Sequence, residues 1–110
     1  MEKIAYNKLV RDRISEIMEG LGKQYEIQTL SEADFAVALL RKVGEEAAEV
    51  QTAQGRDELV KELADLAEVI KTLCEIRFID PAEIESVRVK RRQERGGFGK
   101  RLLLVWGEKD

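Results

Sequence analysis

Histidine is absent from this chain of 110 residues, and its absence narrows the possible chemistry. Catalytic triads that depend on histidine are excluded. Zinc sites usually combine histidine and cysteine ligands, and with a single cysteine such a site is not expected. Any metal must therefore be held by oxygen atoms, which favours magnesium or manganese.

Cysteine and long apolar runs are also scarce. Cys74 cannot form an internal disulfide, and it lies on the apolar side of a predicted helix, so we interpret it as a buried structural thiol. No apolar run approaches the roughly 20 residues that a membrane-spanning helix needs. The first residues lack the hydrophobic region of a signal peptide, and we therefore expect a cytoplasmic protein.

The composition suits one soluble, helix-rich domain covering residues 1–110, since 44% of the residues are hydrophobic and 37% are charged. The net charge of −3 is unevenly distributed. Basic residues concentrate near the N-terminus and between Arg88 and Arg101, whereas Glu45 to Glu68 is strongly acidic. This pattern suits a polyanionic ligand that is bound through a cation.

The periodicity and the capping residues predict a mainly α-helical bundle with a minor two-stranded β element. Ser31 and Asp80-Pro81 are typical helix starts, and Gly55 is a tight turn. The predicted helices are Asn7–Gly20, Ser31–Gln54, Arg56–Arg77 and Asp80–Arg95; the predicted strands are Tyr25–Leu30 and Leu102–Trp106.

Two carboxylates fall where the helical pattern calls for apolar residues. Glu46 lies inside the apolar stripe of the second predicted helix and Glu62 inside that of the third. Each has an acidic neighbour three residues on, Glu49 and Asp65. A buried, unpaired carboxylate is costly or takes up a proton. Four such groups on one seam, the line along which the two predicted helices would meet, therefore indicate a cation between them.

The turn at Gly55 predicts that these acids meet. Glu46 and Glu49 precede this glycine by nine and six residues, and Glu62 and Asp65 follow it by seven and ten. At about 1.5 Å per residue, an antiparallel hairpin brings both pairs to a similar height.

Less specific interpretations remain open. The acids could form salt bridges with Lys42 and Lys61. The glycines at positions 96, 97 and 99 could cradle phosphate or simply end a helix. The basic run Lys90-Arg91-Arg92 could be a solvated face, or it could clamp phosphates.

Three blocks together resemble a known family. Glu45-Glu46-x-x-Glu49 followed by Glu62-x-x-Asp65 resembles the motif of the MazG-like all-α nucleoside triphosphate pyrophosphohydrolases. The segment Tyr6–Ile14 and the segment Glu94–Phe98 narrow the resemblance to the small branch described as phosphoribosyl-ATP pyrophosphohydrolase-like, or house-cleaning pyrophosphatases. Ser15 departs from that branch, which commonly has proline there.

The resemblance implies an enzyme that cleaves the bond between the α and β phosphates of a nucleotide. It implies Mg²⁺, with Mn²⁺ as an alternative, and assembly as a homodimer or higher oligomer. The implied metal ligands are Glu46, Glu49, Glu62 and Asp65. The candidates for the catalytic carboxylate that accepts the proton of the attacking water are Glu45 and Glu49, and the predicted substrate-binding residues are Asn7, Lys8, Arg11, Arg95 and Lys100.

Two other functions remain as alternatives. One is a phosphoribosyl-ATP hydrolase of histidine synthesis, as opposed to a scavenger of non-standard nucleotides. The other is a non-catalytic helical module that binds nucleic acid through Arg88–Arg101. The second alternative does not explain why Glu46 and Glu62 lie within apolar helical stripes. We therefore do not expect a nucleic-acid partner.

Overall fold

Four helices form the secondary structure of the chain in a computed structural model that describes residues 2–110. They are α1 (Ile14–Gly20), α2 (Glu32–Thr52), α3 (Gly55–Ile76) and α4 (Pro81–Arg95). The chain divides into two compact units, Met1–Phe78 and Ile79–Asp110, and each is described by itself. The mainly helical class is confirmed, whereas the single domain over residues 1–110 stays a prediction. Within residues 2–110, no helix has both the length and the apolar character required to cross a membrane.

Helices α2 and α3 pack against each other as a hairpin. The backbone N–H of Asp34 donates to Ser31 Oγ over 3.2 Å, as the predicted cap requires. Only Ala53 and Gln54 separate the two helices, and Gly55 opens α3 with a φ of 80°, a value that favours glycine. The hairpin is therefore fixed by local sequence at its start and at its turn.

The apolar core of the hairpin is small. Leu39 is 3% exposed, and Val69 and Cys74 are also buried, which confirms the predicted burial of the thiol. Many apolar side chains of α2 and α3 remain at least one-third exposed; they include Val37, Leu40, Leu59, Val60, Leu63 and Ile70. The hairpin therefore retains apolar surface that it does not bury within the chain.

Helix α1 is shorter than predicted. It begins at Ile14 rather than Asn7, and its N-cap residue, Arg13, makes no side-chain capping bond. Asn7 has a φ of 48°, which is outside the helical region. Most residues from 8 to 13 are charged, so the segment has little apolar surface to hold a first helical turn against a core.

The two predicted strands are wrong: residues 2–110 contain no β-strand. Tyr25–Leu30 and Leu102–Trp106 have side chains that are all exposed, despite their β-favouring residues. Alternation is a local signal, whereas a strand needs a second strand for its hydrogen bonds. Instead, the Tyr25 hydroxyl donates a hydrogen bond to the Glu19 carboxylate at the end of α1.

Helix α4 has the predicted boundaries in the second unit. The Ala82 N–H donates to Asp80 Oδ1 over 2.9 Å, and Pro81 occupies the first turn. Gly96 ends the helix with a φ of 83°. This geometry confirms Gly96 as a helix terminator.

Candidate metal centre

Three of the four predicted acids converge at the seam between α2 and α3. Glu46 and Glu49 come from α2 and Glu62 comes from α3, and one carboxylate oxygen from each lies within 4.8 Å of the others. The spacing of three residues places the first two on one face of α2. The short turn then brings Glu62 to the same height, as the chain geometry predicts.

Two oxygen atoms in this cluster are buried without a hydrogen-bond partner. They are Glu46 Oε2 and Glu62 Oε2, and Glu46 as a whole is only 8% exposed. Leaving a buried charged acceptor unsatisfied is costly, and such groups usually have a partner. Carboxylate oxygens are the preferred ligands of magnesium and manganese. The donor set and its two unsatisfied oxygens therefore fit a divalent cation.

The pKa of Glu62 also reflects the crowding of the acids. Hydrogen bonding with the Glu49 carboxylate raises this pKa above its ordinary value, and partial burial raises it further. The negative charges of Glu49, Asp65 and Glu46 act in the same direction. Without a cation, Glu62 consequently holds a proton more readily than a free glutamate does.

The fourth predicted ligand, Asp65, has a cationic partner of its own. Arg11 Nη2 donates to Asp65 Oδ1 over 2.8 Å. Asp65 is half-buried, whereas the Arg11 side chain is 61% exposed. Asp65 lies on α3 three residues after Glu62, so the arginine meets the acidic seam one turn further along the helix.

Lys42 lies beside the acids of α2. Its Nζ is 3.7 Å from Glu45 Oε2 and 3.6 Å from Glu46 Oε1, one helical turn away. The salt-bridge interpretation thus holds for one oxygen of Glu46, whereas Oε2 remains without a partner. Lys61 forms no ion pair within residues 2–110. Lys42 therefore balances only part of the negative charge of the acids of α2.

The remaining predicted substrate-binding residues lie in two regions. Asn7 and Lys8 are exposed in the N-terminal segment, and Lys8 Nζ is 5.9 Å from the centre of the Tyr6 ring. Arg95 and Lys100 belong to the second unit. They line a concavity of about 510 Å³; its other lining residues are Arg92, Gly96, Gly97, Phe98, Gly99, Arg101 and Leu102.

The pairing of Arg11 with Asp65 is the feature that sequence reasoning missed. These residues are 54 positions apart, and no local pattern links them. The contact between Lys42 and Glu46 is predictable from the sequence, because the two residues are four positions apart on one helix. The predicted phosphate-binding role of Arg11 stays a prediction, and in the structure its guanidinium group contacts an acid of the seam.

Comparison with known proteins gives a relative that matches part of the chain. A protein of Mycolicibacterium smegmatis (strain ATCC 700084 / mc(2)155), described as uncharacterized, is 44% identical over 50 residues. The aligned part is 46% of this chain and 51% of the relative, so the match spans about half the relative's length. No solved structure matches the chain.

The family comparison covers far more of the chain. The family described as Phosphoribosyl-ATP pyrophosphohydrolase matches residues 5–92. That range contains α1, α2, α3 and every acid of the cluster, whereas Arg95 and Lys100 lie beyond it. The chain therefore belongs to the phosphoribosyl-ATP pyrophosphohydrolase family, a group of pyrophosphohydrolases within the MazG-like all-α superfamily.

Proposed function

We propose that the protein is a Mg²⁺-dependent nucleotide pyrophosphohydrolase that cleaves the α–β phosphate bond of a nucleoside triphosphate. The observation that carries the proposal is the convergence of Glu46, Glu49 and Glu62 within 4.8 Å, with two buried oxygens that lack partners. Membership of a pyrophosphohydrolase family supports the type of reaction. The products are a nucleoside monophosphate and pyrophosphate.

The metal ligands in this proposal are Glu46, Glu49, Glu62 and Asp65. A bound Mg²⁺ would neutralise phosphate charge and make a water molecule more acidic. The acids of α2 and α3 would thus hold the cation at the seam. The exposure of Glu49 leaves the cluster open to a ligand from solvent.

The other residues act on the water and on the phosphates. Water attacks phosphorus, the bridging P–O bond breaks, and the electron pair leaves with pyrophosphate. A carboxylate accepts the proton of the water, and Glu45 and Glu49 are the two candidates. Asn7, Lys8 and Arg11 would bind phosphate oxygens from the N-terminal segment. Arg95 and Lys100, which line the glycine-containing concavity of the second unit, are further proposed substrate-binding residues.

Two substrate classes follow from different observations. Damaged or non-standard nucleoside triphosphates fit the house-cleaning branch that the sequence motifs resemble. Phosphoribosyl-ATP fits the name of the matching family. Both substrate classes contain the phosphoanhydride bond on which the acids and the cation would act. The geometry of the acids therefore does not favour one class over the other. A nucleic-acid-binding role has less support, since it does not account for the convergence of the acids.

Assembly as a homodimer or higher oligomer is also part of the proposal. The exposed apolar side chains of α2 and α3 support it, because a second helical pair could cover them and complete a bundle. Sedimentation equilibrium over a range of protein concentrations measures the mass directly. A monomer at all concentrations would contradict this part.

The central test is pyrophosphate release from a panel of nucleoside triphosphates and phosphoribosyl-ATP, with Mg²⁺ and with chelator. We expect turnover that chelator abolishes and that Glu46→Gln reduces by at least about a hundredfold, in line with the loss of a group that stabilises the transition state. Glu68→Gln is the matched control, because Glu68 is an exposed acid of α3 outside the cluster. Full activity of Glu46→Gln, or no turnover of any substrate, would reject the proposal.

The same assay separates the two candidate bases. If Glu45 accepts the proton, Glu45→Gln loses kcat and keeps its Mg²⁺ affinity, because that carboxylate is not among the proposed ligands. If Glu49 accepts it, Glu45→Gln keeps its kcat, whereas Glu49→Gln loses kcat even when Mg²⁺ is saturating. Binding of Mg²⁺ to each variant, measured by calorimetry, supplies the second quantity.

A further inference from the structure

The contact between Arg11 and Asp65 assigns a second role to the N-terminal segment. We propose that Arg11 competes with a divalent cation for the Asp65 carboxylate and, when displaced, pairs with a phosphate group of the substrate. The inference rests on the proposed function, because it assumes that the acidic seam binds a cation. It adds that Arg11 couples cation binding to substrate binding.

The first support is the arrangement of the acids. Glu46, Glu49 and Glu62 bring their oxygens together, while Asp65 bonds to Arg11 over 2.8 Å. The positive charge of Arg11 therefore already occupies the carboxylate that the motif would offer to a metal. Two cations cannot share one carboxylate without mutual repulsion, so each lowers the affinity of the other.

The second support is the exposure of the contact. Arg11 precedes α1, and its side chain is 61% exposed, so no packed core holds it in place. Exposed ion pairs contribute little net stability and are readily exchanged. Arg13, two residues on, pairs instead with Glu16 over 3.1 Å within its own segment.

The third support is the chemistry of the side chain. A guanidinium group presents paired donors that match a carboxylate and equally a phosphate, whereas a lysine offers a single charged point. One arginine can therefore exchange an acid of the seam for a phosphate of the nucleotide with little change in its donor geometry. Arg11 thus has two partners of the same chemical kind, and cation binding decides between them.

The test measures two quantities that move in opposite directions. In Arg11→Ala we expect Mn²⁺ to bind the nucleotide-free protein about two- to fivefold more tightly, the size of an exposed ion-pair effect, as measured by electron paramagnetic resonance. The same variant should lose about tenfold or more in kcat/KM for the nucleotide, because a charged hydrogen bond to phosphate is gone. A side chain with a merely structural role would weaken both.

Two variants control for charge and for the partner. Arg13→Ala removes the same charge nearby and should leave Mn²⁺ affinity unchanged. In the Asp65→Asn background, Arg11→Ala should no longer tighten Mn²⁺ binding, because the contested carboxylate is absent. Arg11→Lys keeps the charge and should restore part of the Mn²⁺ competition while recovering less of kcat/KM. Circular dichroism of each variant shows whether it is folded.

The outcomes distinguish this inference from the proposed function. If the wild type binds Mn²⁺ and hydrolyses nucleotide, but Arg11→Ala does not tighten the binding, the competition is refuted and the enzyme proposal stands. Equal tightening in Arg13→Ala would also refute it, since a general charge effect would then explain the result. If the wild type neither binds Mn²⁺ nor turns over nucleotide, both fail together.

Discussion

Removing the charge of Glu46 should stabilise the metal-free protein and remove its response to Mg²⁺. Glu46 is 8% exposed, and its Oε2 has no hydrogen-bond partner. An unsatisfied buried acceptor costs about 1–3 kcal/mol. Glu46→Gln keeps the shape and removes the charge but also gives up the contact with Lys42 at 3.6 Å. We therefore expect a net gain of about 1 kcal/mol in the free energy of unfolding without metal.

Mg²⁺ should have the opposite effect on this comparison, because it should stabilise the wild type and leave Glu46→Gln nearly unchanged. A ligand at a hundred times its dissociation constant stabilises the folded state by about 2.7 kcal/mol. For a chain of this size, that corresponds to an increase in Tm of roughly 10 °C. The wild type should show this shift when Mg²⁺ replaces chelator, and Glu46→Gln should show little of it. The assay is thermal unfolding followed by circular dichroism, with Glu68→Gln as the exposed control.

Two results would refute this reasoning. If Glu46→Gln lowers the metal-free stability, the carboxylate is stabilising in place, and its contact with Lys42 outweighs its burial. If Glu46→Gln retains the full Mg²⁺ shift while Glu68→Gln behaves like the wild type, then Glu46 does not hold the cation. The second result would also count directly against the proposed metal centre.

Three further predictions concern stability and pH. Leu39→Ala should lower the free energy of unfolding by about 3 kcal/mol in chemical denaturation, because Leu39 is 3% exposed in a small core; a cost below about 1 kcal/mol would show that α2 is held by something else. Ser31→Ala should cost about 1 kcal/mol in the same measurement through loss of the cap on Asp34 N–H, with Ser86→Ala, at an exposed position within α4, as the control. Because the folded pKa of Glu62 is raised, this group holds a proton more readily in the metal-free folded state than in the unfolded state. Its contribution to stability should therefore be fully present below the ordinary glutamate pKa and be lost as pH rises through the raised value. Chemical denaturation of Glu62→Gln at several pH values should show a flatter profile in that range, and a profile identical to that of the wild type would contradict the assignment.

The helices were predictable because their signals are local. Ser31, Gly55 and Asp80-Pro81 act through hydrogen bonds and backbone angles within a few residues, and all three mark helix boundaries in the structure. The ends of α2 and α3 differ from prediction by one or two residues, which is normal for helix termini. The strands depended on a partner elsewhere in the chain, and the pattern within Tyr25–Leu30 or Leu102–Trp106 carries no information about one.

The candidate metal centre likewise has contacts that the local sequence predicts and one contact that it does not predict. The meeting of Glu46, Glu49 and Glu62 follows from helical spacing and one tight turn, so the sequence contained the information for it. The partner of Asp65 did not follow, because Arg11 reaches it from a segment that leaves the expected helix. The roles of Asn7, Lys8, Arg95 and Lys100 stay predictions, since they depend on a nucleotide that would select their positions.

The acidic seam and the small core are linked through stability. Few apolar residues of the hairpin are buried, and one face of the seam carries carboxylates that repel one another. Substituting those carboxylates with apolar residues would enlarge the core and relieve the repulsion, so their presence lowers the stability of the metal-free fold. In the proposed function, a bound cation would remove that repulsion and would add ligand bonds between α2 and α3. Cation binding and folding are then thermodynamically coupled, and each mutation that weakens the hairpin should also weaken the apparent affinity for Mg²⁺ wherever the unfolded state is populated.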